Sequence, residues 1–246
     1  MNTVLVIPAR YASSRLPGKP LRELAGKPLI QHVHERAMAA GFATVLVATD
    51  DERIRRVCSA FGAQVAMTAN THETGSDRLA EVVQQHGWAD DTIVVNLQGD
   101  EPLTPVANLH QLARNLAEYP QASMATLATP ILTAAEFLNP NVVKVVRDAQ
   151  GMALYFSRAP IPFQRDKGVA LVDYALRHIG MYAYRAGFLK AFAGMPPAQT
   201  EQLEKLEQLR ALAHGYRIHV DIATEIPGAG VDTEEDAQRV ATLLSE

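Results

Sequence analysis

The sequence predicts an α/β fold: a mostly parallel (mixed) central sheet flanked by helices, with an antiparallel extension in its second half. Three observations carry this. Short apolar runs alternate with segments of helical periodicity from residue 4 to residue 97. Beyond residue 141, strand-like runs follow one another with few helices between them. Hydrophobic residues fill 48% of the 246 positions, enough to bury a large core in one domain.

The elements follow in order. Residues 4–8 form a continuous apolar run, as expected of a strand buried on both faces. Leu29, Ile30, Val33 and Ala37 recur at helical spacing, and Pro28 suits the first helical position. Strands are expected at 45–48, 64–67 and 93–97, and helices at 51–61, stopped by Gly62, and at 76–86. In such sheets ligands sit beyond the carboxyl ends of the strands, so the residues just after each strand are where chemistry is sought. Later strands are expected at 142–147, 152–157 and 178–185. Residues 200–213 read as one helix with Leu203, Leu206, Leu209 and Leu212 along one side. A strand at 217–222 precedes a last helix near Thr233, where Thr233 and Asp236 have capping-box spacing.

Composition excludes several classes. The formal net charge of −4 gives no global electrostatic grip on nucleic acid. A single cysteine, Cys58, rules out an intramolecular disulfide and a cysteine-based zinc site, and reads as a small buried side chain. The apolar run at 4–8 is too short for a secretion signal, and no stretch approaches the ~20 apolar residues needed to cross a bilayer. A soluble, cytoplasmic protein without a membrane partner is expected.

The segment 10–27 carries Arg10, Arg15, Lys19, Arg22 and Lys27 against one acid, Glu23, a local reversal of sign directly after the first strand. Gly18 frees the backbone to wrap closely, and Pro8, Pro17 and Pro20 restrict its shape. Such a loop can surround a polyanion such as a triphosphate. It is not a Walker A loop: Pro20 follows Gly18-Lys19 where Ser or Thr is required. No G-x-G-x-x-G is present; Gly228 and Gly230 are a late fragment only. Asp100 follows the strand at 93–97, and Asp232 follows the last strand. Alone, each reads as a turn residue or a helix cap. Together with the cationic loop they suit Mg²⁺, which takes one or two carboxylates plus nucleotide phosphates.

The stretches 10–21 (RYASSRLPGKPL) and 98–102 (QGDEP) resemble the two signatures of the 3-deoxy-D-manno-octulosonate cytidylyltransferase (CMP-Kdo synthetase) family. The resemblance continues through 72–78, 139–146, 154–158, 177–185, 206–210 and 227–232, nearly the whole chain in order. It implies a nucleotide-diphospho-sugar transferase (GT-A-like) fold and transfer of CMP from CTP to the eight-carbon acidic sugar Kdo. The products would be CMP-Kdo and pyrophosphate, the activated sugar serving lipopolysaccharide synthesis. It implies a nucleotide-binding core at about 1–130 plus 215–246, and a sugar-binding and dimerisation lobe at about 131–214. The catalytic set would be Lys19, Arg10, Asp100 and Asp232, with Mg²⁺ on the two acids. Arg10, Arg15 and Lys19 would hold the triphosphate, and Thr74, Gly75, Arg78 and backbone around Ala9 the cytosine. Thr74 stands where many relatives carry Ser, which keeps the hydroxyl. Gln98 would touch both substrates, and Arg158, His178, Tyr182, Tyr184, Glu207 and Gln208 the sugar. The family is usually homodimeric.

The residues at the sugar site fit this. In a strand, His178, Gly180, Tyr182 and Tyr184 share one face and offer an imidazole, two phenols and a gap. Arg158 could fork onto a carboxylate. Equally, the tyrosines could be packing aromatics, His178 a satisfied core histidine and Glu207 a solvated helix charge. His32 and His34, two apart on a helix, do not share a face. Two alternatives stay open: a cytidylyltransferase for another acidic sugar (8-amino-Kdo or a capsule-pathway Kdo), and a catalytically silent CTP-binding protein.

Overall fold

The computed structural model describes residues 2–12, 16–72, 74–166 and 168–245. Arg15, one of the expected triphosphate contacts, lies outside them. β1 (Thr3–Pro8) leads through the cationic loop to a single turn at Lys19–Leu21 and a small hairpin, β2 (Glu23–Leu24) and β3 (Lys27–Pro28). Alternation follows: α1 (Leu29–Ala39), β4 (Val45–Thr49), α2 (Glu52–Ala60), β5 (Gln64–Met67), α3 (Gly75–Gln85) and β6 (Ile93–Asn96). Then come α4 (Val106–Glu118), β7 (Met124–Pro130), α5 (Ala134–Leu138), β8 (Lys144–Arg147) and β9 (Ala153–Ser157). The chain ends with β10 (Leu176–Arg185), α6 (Ala186–Phe192), α7 (Gln199–Glu204), α8 (Gln208–Ala213), β11 (Ile218–Ile222) and α9 (Glu234–Leu244).

The main sheet runs β11-β7-β10-β6-β1-β4-β5, with β8 and β9 joined to the edge of β10. β6, β1, β4 and β5 are parallel, and β11 is parallel to β7. β10 is antiparallel to β6, β7 and β8, so the sheet is mixed. Both faces are covered. Leu5 and Ile7 enter a core shared with α1, α4 and α9, while Val4 and Val6 enter a second core shared with α3, α6 and α8. That is why the first strand has no polar alternation. Cys58 is buried, and burial pushes its thiol up to about 12, so it packs rather than reacts.

Three expectations are corrected. Pro28 caps α1 from outside instead of opening it. Residues 200–213 are two helices, because Lys205 between α7 and α8 takes a left-handed conformation, φ 54°. Competing bonds explain the break. The Glu204 carbonyl accepts from Arg158 Nε at 2.6 Å, while its carboxylate accepts from the Ser157 hydroxyl and the Arg158 N–H. Leu203 consequently leaves the leucine stripe and is 76% exposed, while Leu206 and Leu209 are buried. Periodicity also misses α4 and β7 altogether. On α4 the buried face mixes Leu109, Leu112 and Leu116 with Asn108, Gln111 and Asn115. Those amides bond Asp221, Ile222, Thr224 and Glu225, pinning the stretch after β11 to the helix.

Candidate active site

The chain leaves β1 for β4 and β5 on one side, then returns with β6 on the other. The carboxyl ends of β1 and β6 therefore part at a switch point, where α/β sheets open a crevice. Ala9 and Arg10 follow β1 there, and Gln98, Gly99 and Asp100 follow β6. The two turns pack so closely that a Cβ on Gly99 would lie 2.8 Å from the Pro8 carbonyl oxygen. Gly99→Ala is expected to cost about 1–3 kcal/mol through overpacking and to displace Asp100. A thermal unfolding curve and a turnover assay would check both effects.

Lys19 reaches the crevice from the turn after Gly18, whose φ of 69° and contact with the Tyr11 ring exclude a side chain. Its ammonium donates to Asp100 Oδ2 at 2.5 Å and to Asp232 Oδ1 at 3.1 Å. Asp232 arrives from 132 residues later in sequence because its loop is tied to the turn after β6. The Val231 N–H donates to the Asp100 carbonyl at 2.9 Å. Gly228 lies against Leu103, where a Cβ would come within 2.6 Å of the leucine Cβ. Beyond Asp232, the capping box of Thr233 and Asp236 starts α9 as expected. Glu101, not singled out from sequence, sits beside the pair. Burial first, and then the charges of Asp100 and Asp232, push its carboxyl up to about 7. Asp100, Asp232 and Glu101 thus bring three carboxyls close to the Lys19 ammonium.

A cavity of about 320 Å³ opens over this group. Ala9, Arg10, Lys19, Gln98, Asp100 and Asp232 line one part of it, and Thr74, Gly75, Arg78 and Glu207 another. Thr74 caps α3: its hydroxyl accepts the Asp77 N–H and donates to the Asp77 carboxylate at 2.8 Å. Arg78 is buried beneath, its guanidinium bonded to the Thr68 hydroxyl and 3.4 Å from Asp50. His72, also missed, lines the same cavity with Nε2 on Glu81. Burial alone would raise the Glu81 carboxyl, but the bonds from His72 and the Ala69 N–H bring it below its usual value. The signal for His72 and Glu101 was proximity in sequence to Thr74 and Asp100; nothing in their own spacing marked them.

Glu207 also reaches a second cavity, of about 110 Å³, with Tyr182, Tyr184 and Gln208. Here Glu207 Oε1 and Gln208 Nε2 are buried without a hydrogen-bond partner among the described residues. Such groups are costly unless a ligand or water meets them. Burial raises the Glu207 carboxyl and both phenols above their ordinary values. The Tyr182 and Tyr184 rings stack 5.7 Å apart, and His178 lies 5.5 Å from Tyr182. A bulge intervenes, yet these side chains keep one face. Between the pairs Ile179–Leu127 and Tyr182–Thr126, β10 carries two extra residues, and two preserve parity. Burial holds the His178 imidazole down to about 3, so it is neutral.

Arg158 is not among the residues lining these two cavities. Besides its bond to Glu204, its guanidinium donates to the Pro140 carbonyl at 3.0 Å. The next turn is held by Lys144, a fully buried lysine whose three protons go to the carbonyls of Asn139, Val142 and Arg158. His32 and His34 stay apart: His32 bonds the Leu24 carbonyl and His34 packs on Phe61.

Comparison with known proteins bears on the family and the fold. A family model described as cytidylyltransferase matches residues 4–220. A 3-deoxy-manno-octulosonate cytidylyltransferase of Thioalkalivibrio sulfidiphilus is 59% identical over 248 residues, 99% of each chain. The Pasteurella multocida protein of the same name is 52% identical over 257 residues, covering 100% of this chain and 99% of its own. A solved structure of CMP:2-keto-3-deoxy-manno-octonic acid synthetase complexed with CTP is 45% identical, with a TM-score of 0.90 over 100% of this chain and 99% of that one. A 4-diphosphocytidyl-2C-methyl-D-erythritol synthase, 16% identical with a TM-score of 0.65, shares the fold. The chain belongs to the cytidylyltransferase family, in its 3-deoxy-manno-octulosonate (CMP-Kdo synthetase) branch.

Proposed function

We propose that this chain transfers CMP from CTP to 3-deoxy-D-manno-octulosonate, releasing pyrophosphate. The observation that carries the reading is the Lys19 ammonium lying between Asp100 and Asp232 inside the cavity that Arg10, Gln98 and Thr74 also line. In-line attack of the anomeric hydroxyl on the α-phosphorus breaks the bond to pyrophosphate. Such a reaction asks for positioning and charge neutralisation more than covalent chemistry.

The donor set fits Mg²⁺. A cationic ammonium already occupies the space between two carboxylates, and Mg²⁺ completes its shell from phosphates and water. Asp100 and Asp232 would hold the ion, which would supply charge neutralisation at the α-phosphate and a lower pKa for the attacking hydroxyl. The chain's own groups do the rest. Arg10 and Lys19 donate to phosphate oxygens where charge builds up. Arg15 is proposed alongside them. Thr74, Gly75, Arg78 and the backbone at Ala9 hold the cytosine. Gln98, His178, Tyr182, Tyr184, Glu207 and Gln208 receive the sugar, with the unpartnered Glu207 Oε1 and Gln208 Nε2 ready to bond its hydroxyls.

Arg158 is proposed to read the sugar carboxylate, which would require its guanidinium to exchange carbonyl partners. Arg158→Ala is then expected to raise the sugar KM about tenfold while leaving the CTP KM in place, as loss of one charged hydrogen bond should. Equal change in both constants would remove it from sugar recognition. A homodimer formed through the lobe at 131–214 is also proposed. Leu138, Leu154, Phe163 and Leu203 are all more than half exposed there, which supports it. Pyrophosphate release with each NTP and a panel of acidic sugars, including Kdo and 8-amino-Kdo, with and without Mg²⁺, tests the function. Release with CTP and Kdo alone supports it, and CTP binding without release would mark a silent binder.

A further inference from the structure

β7 carries one buried polar side chain that the mechanism above does not use. Thr126 is fully buried beside the bulge of β10. Its hydroxyl oxygen lies 2.7 Å from the Met181 carbonyl oxygen, 3.0 Å from that of Ile179 and 3.0 Å from His178 Nε2. A hydroxyl has one proton. Two carbonyl oxygens accept only, and the Met181 oxygen at 2.7 Å cannot approach the hydroxyl oxygen this closely unless a proton lies between them. The single Thr126 proton therefore goes to the bulge carbonyls. Toward His178 the hydroxyl has only a lone pair left to offer.

We infer that Thr126 fixes His178 as the tautomer protonated on Nε2, so that the imidazole presents Nδ1 to its ligand as a hydrogen-bond acceptor. Three consequences follow. His178 accepts a proton from a sugar hydroxyl and does not donate to the sugar. The ring is held in orientation by the Phe156 edge, 4.9 Å away, and by Tyr182. Thr126 is a positioning residue for the sugar: it acts through His178 and through the bulge that keeps His178 and Tyr182 on one face. The sugar part of this inference rests on the function proposed above, whereas the tautomer does not.

The test uses the full-length protein labelled with ¹⁵N-histidine. In the ligand-free wild type, the His178 resonances should show a protonated Nε2 and an unprotonated Nδ1. In Thr126→Val, which keeps the shape and removes the hydroxyl, the preference should weaken or reverse. The sugar KM should rise about tenfold with the CTP KM unchanged, as one lost hydrogen bond predicts. Thr126→Ser should restore both the tautomer and the KM. A wild-type ring protonated on Nδ1 overturns the inference, and so does a Thr126→Val protein whose tautomer is unaltered. An altered tautomer with an unmoved sugar KM overturns the positioning role. Failure of the wild type to release pyrophosphate with any acidic sugar would count against the proposed substrate, while the tautomer measurement would still stand. Should the valine variant not fold, the wild-type spectrum and the serine variant still decide.

Discussion

Asp100→Asn is expected to abolish turnover, with a loss of about a thousandfold or more in kcat, equivalent to about 4 kcal/mol of barrier. The amide keeps the shape of the side chain but cannot supply the negative charge that a divalent cation needs. Folding should survive. Asp100 is on a turn with its side chain 34% exposed, and its structural bond to the other acidic loop is made by its backbone carbonyl. Indeed, removing one of three neighbouring carboxyls relieves repulsion, and the Glu101 carboxyl should fall back toward its ordinary range. Three measurements check this together: pyrophosphate release, the melting temperature and CTP binding in the absence of metal. Near-normal turnover would remove Asp100 from the mechanism.

Lys19→Ala is expected to cost about 2–4 kcal/mol in barrier, the usual loss for a donor aimed at developing charge. Its present partners give a second signature. Without the ammonium the site at Asp100 and Asp232 is more negative and has lost a competing cation, so the variant should need less Mg²⁺ to reach its lower maximum rate. Stability should change little, because the two acids are 34% and 45% exposed and solvent screens the pair. Steady-state kinetics across a magnesium titration would show both effects. An unaltered kcat would demote Lys19 to a structural bridge.

Much of this site was legible in the letters because its signals are local. The sign reversal from Arg10 to Lys27 needs no tertiary knowledge, nor does an acid placed directly after a buried strand. Parity along 178–184 also read correctly, although only because the bulge in β10 inserts two residues; one would have turned His178 to the other face. The failures have a common cause, polar groups that bond over long distances. Asn108, Gln111 and Asn115 disguise the buried face of α4. Arg158 takes the Glu204 carbonyl and so breaks a helix that leucine spacing alone would continue. Thr126 carried no signal at all, since an isolated threonine in an apolar run gives no hint of which carbonyls it will meet.

The single backbone bond from Val231 to the Asp100 carbonyl has a consequence for how the protein is made. The parallel strands and their helices can assemble as they leave the ribosome, but Lys19 and Asp100 then wait for a partner encoded just ahead of the carboxyl-terminal helix. Until the loop ahead of that helix docks on the turn after β6, the second acid is not in place. A nascent or truncated molecule can thus be nearly complete in its architecture and still be chemically inert.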